Sequence, residues 1–353
     1  MIKVAIVGFG FMGRMHFKCF QAIEGVRVVT VCDTNPQAFD LVNNSRGNIE
    51  NNTAIDIDGV KTYTDYEEML AAEALDCVSI TLPTHLHCEF ALKAMDAGLH
   101  VFCEKPIALN EHEGVAMIET AKKSGRKLQI GHCIRFWPEY VKAAEIIKSG
   151  IFGKVKVANF ERFSAVPQWS AGGWLKNRQM SGGMLLDLHI HDSDYICSIF
   201  GMPRSVVTRT IEGVHGDDDH VFTMYMYNDE TLVMAHASWS MPQSFGFKMG
   251  FMLTLEQATL VYNCTRQPSL MVFPFDDAGY SPAINAGNGY SLEISHFVNV
   301  IKNEQLSKIF AATDALNSLR LVLAERQSAQ SKQEVFLNSM SSVVKQTRVV
   351  SKK

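Results

Sequence analysis

The stretch Ile2-Lys3-Val4-Ala5-Ile6-Val7-Gly8-Phe9-Gly10-Phe11-Met12-Gly13 decides the fold. Its first half is a short apolar run without alternation, the pattern of a strand buried on both faces. Its second half is G-x-G-x-x-G, a common pattern that gains meaning from its setting. Here it follows a strand and opens a helical periodicity from Met12. A second apolar run, Arg27–Cys32, then ends at Asp33, 20 residues past Gly13. In this setting Gly8 permits a tight turn, Gly10 removes the Cβ that would meet a pyrophosphate, and Gly13 lets helix and strand pack closely. The helix N-terminus at Phe11 and Met12 offers unpaired N–H groups and a partial positive charge to phosphates. A dinucleotide is the expected ligand. Asp33 would accept from ribose hydroxyls and repel a 2′-phosphate, and Thr34-Asn35-Pro36 brings no cation to welcome one, so NAD is expected over NADP.

Outward from this unit the alternation continues. Further strand-like runs are Asp76–Leu82, His100–Cys103 and Lys127–Ile130. Helical periodicities fall at Met12–Ile23, Pro36–Asn44, Asp65–Ala72, His85–Ala97 and Glu111–Ser124, with Gly98 and Gly125 placed as helix stops. Residues 47–59, rich in Asn and Asp, read as a surface excursion. The expectation is a doubly wound parallel sheet over residues 1–130. After residue 131 the texture changes. Helices are expected at Pro138–Ser149, Gly183–Phe200, Ser291–Asn303 and Thr313–Ser331. Strands are expected at Lys154–Phe163, Ser205–Ile211, Val221–Tyr227, Thr231–Ser238, Lys248–Leu255, Thr259–Tyr262 and Ser269–Phe273, several joined by hairpin turns. Residues 131–338 thus form an α+β domain with a large, mostly antiparallel sheet, and 339–353 a loosely held tail. The fold class is α/β followed by α+β.

Bulk properties narrow the functional classes. The 353 residues suit about two domains at ~150 residues each, and a formal net charge of −4 offers no footprint for nucleic acid or an anionic membrane. No apolar stretch reaches the roughly 20 residues of a membrane span. The eight cysteines contain no C-x-x-C pair and read as buried thiols in a reducing compartment, so the cytoplasm is expected.

Three further runs carry a family resemblance. They are Pro83-Thr84-His85-Leu86-His87-Cys88-Glu89 with Ala94 through Glu104-Lys105-Pro106; Arg135-Phe136-Trp137-Pro138 with Gly150 through Val155; and Ser181-Gly182-Gly183-Met184-Leu185-Leu186-Asp187-Leu188-His189-Ile190-His191-Asp192-Ser193-Asp194. With Asp314 through Arg320, the chain resembles the Gfo/Idh/MocA oxidoreductases nearly end to end. The resemblance implies an N-terminal Rossmann domain and a C-terminal domain whose open sheet face builds homodimers or homotetramers. It also implies an active site in the cleft between domains. It makes Lys105 the active-site lysine, with Asp187 and His191 as the acid/base pair. A cis peptide often precedes the proline of its Glu-Lys-Pro motif. Thr81, Pro83, His87, Glu104 and Lys105 join Gly8, Gly10, Phe11, Met12, Gly13 and Asp33 as cofactor contacts. Arg135, Trp174 and Arg178 join Lys105, Asp187 and His191 as substrate contacts.

The chemistry suits those residue types. Oxidising an alcohol releases a hydride and a proton; histidine takes up a proton near neutral pH, and an ammonium stabilises a developing alkoxide. Asp187 and His191, four apart on a helix, share a face. No metal is expected: His189 and His191 stand about 200° apart on a helix, and Asp187 with His191 lacks an evident third ligand. His215 through His220 reads as a solvated acidic turn. His189 stands where many members of the family have a small residue, marking a subgroup or a contact with a neighbouring subunit. The expected reaction is hydride transfer between nicotinamide and a hydroxyl or carbonyl carbon of a sugar, cyclitol or related polyol. Two other classes share the fold: an NAD-dependent glycosidase with tightly held cofactor, and a non-catalytic dinucleotide-binding regulator. Residues 280–290, rich in Gly and Asn, read as a loop over the site.

Overall fold

In the computed structural model, the described residues are 1–40, 55–168, 170–213, 218–303 and 311–337. In chain order they form β1 (Ile2–Val7), α1 (Phe11–Gln21), β2 (Val26–Cys32), β3 (Lys61–Tyr63), α2 (Tyr66–Ala72), β4 (Cys77–Ile80), α3 (His87–Asp96), β5 (His100–Glu104), α4 (Glu111–Ser124) and β6 (Leu128–Gly131). There follow α5 (Pro138–Ser149), β7 (Val155–Ser164), α6 (Arg178–Ser181), α7 (Ile190–Phe200), β8 (Ser205–Glu212), β9 (Asp218–Met226), β10 (Leu232–Ser238), β11 (Phe247–Leu255), β12 (Ala258–Asn263) and β13 (Leu270–Pro274). The chain ends with α8 (Gly289–Asn303), α9 (Ala312–Ser331) and β14 (Val335–Phe336).

Two compact units emerge. One comprises Met1–Pro138, Pro167–Gly183 and Ala286–Leu319; the other comprises Glu139–Val166, Met184–Asn285 and the stretch from Arg320 onward. The first holds a six-stranded sheet in the order β3-β2-β1-β4-β5-β6. Every pairing in it is parallel. The apolar runs that lacked alternation are its central strands: Val4 to Val7 and Cys77 to Ile80 are buried throughout, as expected where helices cover both faces. α8 packs into this core through Ile294, Phe297 and Val298 against residues of β1, β2 and α1.

Local chemistry sets the element ends. Asn110 caps α4 by accepting from the Glu113 N–H at 3.0 Å, and Gly125 stops it at φ +69°. Asp65 caps α2 through the Glu68 N–H at 2.8 Å. Three expectations change. The helix expected at Pro36–Asn44 begins as a 3₁₀ turn, Pro36–Phe39, capped by Asn35, and 41–54 lie outside the described residues. β3, only three residues without an apolar run, was not anticipated. The helix expected at Gly183–Phe200 is broken: Leu185–His189 is a π-helical turn, and regular α-helix starts at Ile190.

The second unit holds an eight-stranded sheet, β13-β12-β11-β7-β10-β9-β8-β14, antiparallel except for the β7–β10 pair. Its strands alternate. On β9, Val221, Thr223 and Tyr225 are buried while Phe222 and Met224 are exposed, the signature of a sheet covered on one face. The run from Tyr280 is tied to β13 by a two-way backbone bridge with Val272. Of the stretch expected as a solvated acidic turn, 215–217 lie outside the described residues. Asp219 instead is buried, at the start of β9.

Candidate functional site

The glycine turn is built as its spacing requires. Gly8 sits at φ +87°, and a Cβ there would lie 2.7 Å from the Thr81 carbonyl oxygen. A Cβ on Gly13 would lie 1.9 Å from the Gly8 carbonyl oxygen, so only hydrogen fits between α1 and the turn. Gly10 differs: nothing lies within 4 Å of its Cβ position, and it is exposed. α1 begins there with no side-chain cap and no acid in its first turn, unlike α2 and α4. Half-buried Phe11 and Met12 form that first turn. Uncapped N–H groups beside open space suit a diphosphate, so the residues fit a dinucleotide.

Two side chains hold the turn. Asp33 accepts from the Phe9 N–H at 2.7 Å through Oδ2 and from the Asn35 N–H at 2.9 Å through Oδ1. Thr81 donates from Oγ1 to the carbonyls of Gly8 (2.6 Å) and Val7 (3.1 Å). Arg14, not singled out in the sequence, donates to the Ala38 and Asp40 carbonyls and lies over the Phe9 ring. Its charge therefore sits beside the segment that follows Asp33.

At the carboxyl end of β5, Lys105 is half-buried and its bond to Pro106 is cis. The residues around it form a buried polar network. Glu104 accepts from the Lys105 N–H through Oε2 at 3.1 Å, and its Oε1 lies 3.0 Å from His16 Nε2. The other ring nitrogen of His16 is 2.8 Å from Ser79 Oγ on β4. Burial pushes the Glu104 carboxyl upward, but the His16 hydrogen bond and charge, with Lys105 and His87, hold it below the usual carboxylate value. His87 is buried, with Nδ1 2.8 Å from the Pro106 carbonyl and Nε2 2.9 Å from the Leu82 carbonyl. Burial lowers its pKa against the pull of those two carbonyls. His87 thereby ties the Leu82–Pro83 loop to the Lys105–Pro106 turn.

His16 was missed in the sequence, although Gly13, His16, Phe17 and Phe20 trace the buried stripe of α1 and a histidine stands out there. Glu293 of α8 is buried nearby; its carboxylate and the ligand atoms of His16 and Glu104 lie within 4.8 Å of one another, the one such metal-like group among the described residues. Of the substrate candidates in this unit, Arg135 pairs with Asp314 at 3.4 Å, with its side chain 8% exposed. Trp174 lies in a 3₁₀ turn (Ala171–Lys176) and Arg178 opens α6, both half-buried.

The second unit carries Asp187 in the π turn and His191 in the first turn of α7. From Met184 to Ile196 every residue is buried except these two. The intervening His189 is fully buried. Its Nε2 lies 3.1 Å from Glu325 Oε2 of α9, so it makes an internal contact and offers nothing to a neighbouring subunit. Beside it, Arg162 of β7 clasps Asp192 through two hydrogen bonds, 3.0 and 2.8 Å.

A parallel sheet with this strand order, an uncapped helix at an open glycine turn and a second unit built on a one-sided sheet define a two-domain dinucleotide-binding oxidoreductase fold. Comparison with known proteins agrees. Residues 2–132 match the model of the Gfo/Idh/MocA oxidoreductase family, NAD-binding Rossmann fold, and residues 140–261 match that family's C-terminal domain. The chain belongs to the Gfo/Idh/MocA family. It is 30% identical over 235 residues to 2,7-anhydro-N-acetylneuraminate hydratase of Mediterraneibacter gnavus, covering 65% of this chain and 59% of that one. Against scyllo-inositol 2-dehydrogenase (NAD(+)) of Bacillus subtilis it is 26% identical over 96% of both. The chain thus spans about three-fifths of the length of the first curated relatives it matches. Among solved structures, levoglucosan dehydrogenase in complex with NADH and levoglucosan superposes with a TM-score of 0.79 at 21% identity, covering 95% of this chain and 99% of that one.

The two glycines make a discriminating pair. Gly10→Ala, at ordinary φ and in open space, should leave the melting temperature within ~2 °C while weakening NADH binding by about tenfold or more. Gly13→Ala should lower both, because its Cβ must push α1 off the turn. Calorimetry and NADH fluorescence titration check this; a Gly10→Ala variant that binds NADH normally would remove the phosphates from this turn.

Proposed function

We propose that the protein is a dehydrogenase that moves a hydride between NAD and a hydroxyl-bearing carbon of a sugar, cyclitol or related polyol. One observation carries the reading: along a buried segment, Asp187 and His191 alone keep exposed surface, as a proton-transferring pair must. When bound, the nicotinamide supplies the hydride acceptor. His191 takes the hydroxyl proton, with Asp187 orienting and tuning its imidazole. The Lys105 ammonium hydrogen-bonds the same oxygen and stabilises its developing negative charge. Gly8, Gly10, Phe11, Met12, Gly13 and Asp33 hold the dinucleotide, with Thr81, Pro83, His87, Glu104 and Lys105 forming or bracing the far wall. Arg135, Trp174 and Arg178 are the proposed further substrate contacts. The names of the relatives, a scyllo-inositol dehydrogenase and a levoglucosan dehydrogenase, support polyols and sugars as the substrate class. A panel of cyclitols and aldoses followed by NADH absorbance tests the assignment. Lys105→Ala and His191→Ala should each lower kcat by about 10²–10⁴-fold, and full turnover in both would defeat it.

NAD is proposed over NADP because the Asp33 carboxylate would repel a 2′-phosphate. Asp33→Ala should shift the NAD/NADP ratio of kcat/KM toward NADP by about tenfold, a ΔΔG‡ near 1.4 kcal/mol. An unchanged ratio would move the discrimination elsewhere, with Arg14 the next residue to substitute.

A second reading draws on the hydratase relative at 30% identity. If oxidation is transient and the hydride returns within one turnover, as in the NAD-dependent glycosidases of this fold, product forms with no net absorbance change and the protein purifies with its dinucleotide.

The open face of the eight-stranded sheet exposes Phe222, Met224, Leu232, Met252 and Phe273, each 39–56% accessible. We propose that this face joins subunits in a homodimer or homotetramer, since an apolar patch of this kind marks an interface. Sedimentation should show the assembly, and Phe222→Lys with Met224→Lys should release monomers; an unchanged mass would place the interface elsewhere. None of the eight cysteines is joined in a disulfide, and no helix among the described residues is long and apolar enough to cross a membrane. A cytoplasmic location is proposed on the reduced thiols.

A further inference from the structure

Resting on the reading of Asp187 and His191 as the proton-handling pair, we infer that the buried His189–Glu325 pair is a positioning device. It locks the π turn and sets the rotation at which the helix presents those two side chains. The π turn is closed by the Ile190 N–H on the Leu185 carbonyl. Such turns are rare and hold only when surrounding contacts favour them. Here the contacts are apolar, through buried Leu185, Leu186, Leu188 and Ile190, and also polar.

His189, Asp192 and Ser193 fall three and four residues apart, so they share one helix face, and all three are fully buried. A helix facing a core ordinarily turns apolar residues inward. Beside such residues this one inserts an imidazole, a carboxylate and a hydroxyl, whose partners come from α9, β7 and β9. His189 Nε2 faces Glu325 Oε2 at 3.1 Å, Tyr225 OH at 3.3 Å and Thr223 Oγ1 at 3.4 Å. Ser193 donates to Glu325 Oε1 at 3.0 Å, so one carboxylate from α9 bridges both ends of the first turn of α7. The Arg162 guanidinium holds Asp192.

Apolar packing holds a helix through shape alone, whereas hydrogen-bonded groups also hold it through direction. A buried carboxylate that loses its partner is strongly destabilising, so the polar face favours one rotation. At that rotation Asp187 and His191, each two residues from His189, fall on the side away from α9, where they keep their exposed surface. His189 is a positioning residue: it acts through the helix it anchors.

The test compares His189→Ala, His189→Gln, Glu325→Gln and, as reference, His191→Ala. Turnover is read by NAD reduction with scyllo-inositol or the first cyclitol or glucoside that the unsubstituted enzyme oxidises. Misplacing the pair by about 1 Å should lower kcat by about 10²-fold in His189→Ala, with KM and the NADH dissociation constant within about twofold. His189→Gln, whose amide keeps a polar group opposite Glu325, Tyr225 and Thr223, should recover most of kcat. Glu325→Gln serves as the independent variant should His189→Ala fold poorly. A purely structural pair would instead lower the melting temperature and leave kcat per folded molecule unchanged, and that outcome overturns the proposal. If His191→Ala abolishes turnover while His189→Ala keeps it, the inference falls and the dehydrogenase reading stands; if His191→Ala keeps turnover, that reading is what falls. Amide hydrogen exchange tests the same device without any substrate. In His189→Ala, exchange should rise selectively across residues 186–191 relative to the rest of α7, and an unchanged profile there also overturns the proposal.

Discussion

The α/β unit depends on the approach of one helix to one turn. α1 can reach the end of β1 only because residue 13 has no side chain beyond hydrogen: a Cβ would stand 1.9 Å from the Gly8 carbonyl oxygen. That approach does two things at once. It points the uncapped N–H groups of α1 over Gly10, where there is open space. It also carries His16, one turn further along the same face, down to Ser79 and Glu104. The dinucleotide turn and the lysine turn are therefore coupled through a single helix. Helix dipole, glycine spacing and the support of Lys105 follow from one close contact.

Buried polar pairs recur beneath the segments that carry the candidate site residues. Glu104 meets His16 under Lys105, and His189 meets Glu325 while Asp192 meets Arg162 under the segment of Asp187 and His191. Such pairs are not the cheapest route to stability, because taking polar and charged groups out of water costs much of what their attraction returns, and apolar replacements often do as well or better. Their advantage is directional. A methyl group is satisfied by any neighbour, whereas a buried carboxylate is satisfied only by donors at the right distance and angle. Active-site groups must sit within fractions of an ångström of a productive geometry, and under the proposed reading orientation is what these pairs would contribute.

Much of the architecture was legible because burial leaves a mark on composition. Parallel strands covered on both faces read as unbroken apolar runs, and β1, β2, β4, β5 and β6 were found that way. The strands of the second sheet from β7 to β13 were legible as short strand-like segments, several joined by hairpin turns. Elements too short to carry a pattern were lost: β3 and β14 have three and two residues. The dinucleotide turn was legible because glycine is nearly the only solution to its sterics. The polar network was not. Glu104 was read as a cofactor contact because its neighbours Lys105 and Pro106 drew attention to the motif. Its partner lies on α1, and no local spacing links the two. His189 was opaque for the same reason, since its partner Glu325 belongs to a helix near the other end of the chain.

The π turn marks the limit of a reading based on regular periods. Four residues of α-helix turn through about 400°, leaving positions 187 and 191 offset by ~40° in one sense. A turn of wider pitch takes that offset through zero toward the other sense. Sequence spacing alone therefore places Asp187 and His191 on one face under either geometry, but it cannot say at what angle to each other. That angle decides whether a carboxylate orients the imidazole or merely sits near it. On the proposal above, it is set by the polar residues held inward, His189, Asp192 and Ser193. Under the proposed reading, the chemistry of the outward pair depends on the inward triplet, whose partners come from α9, β7 and β9.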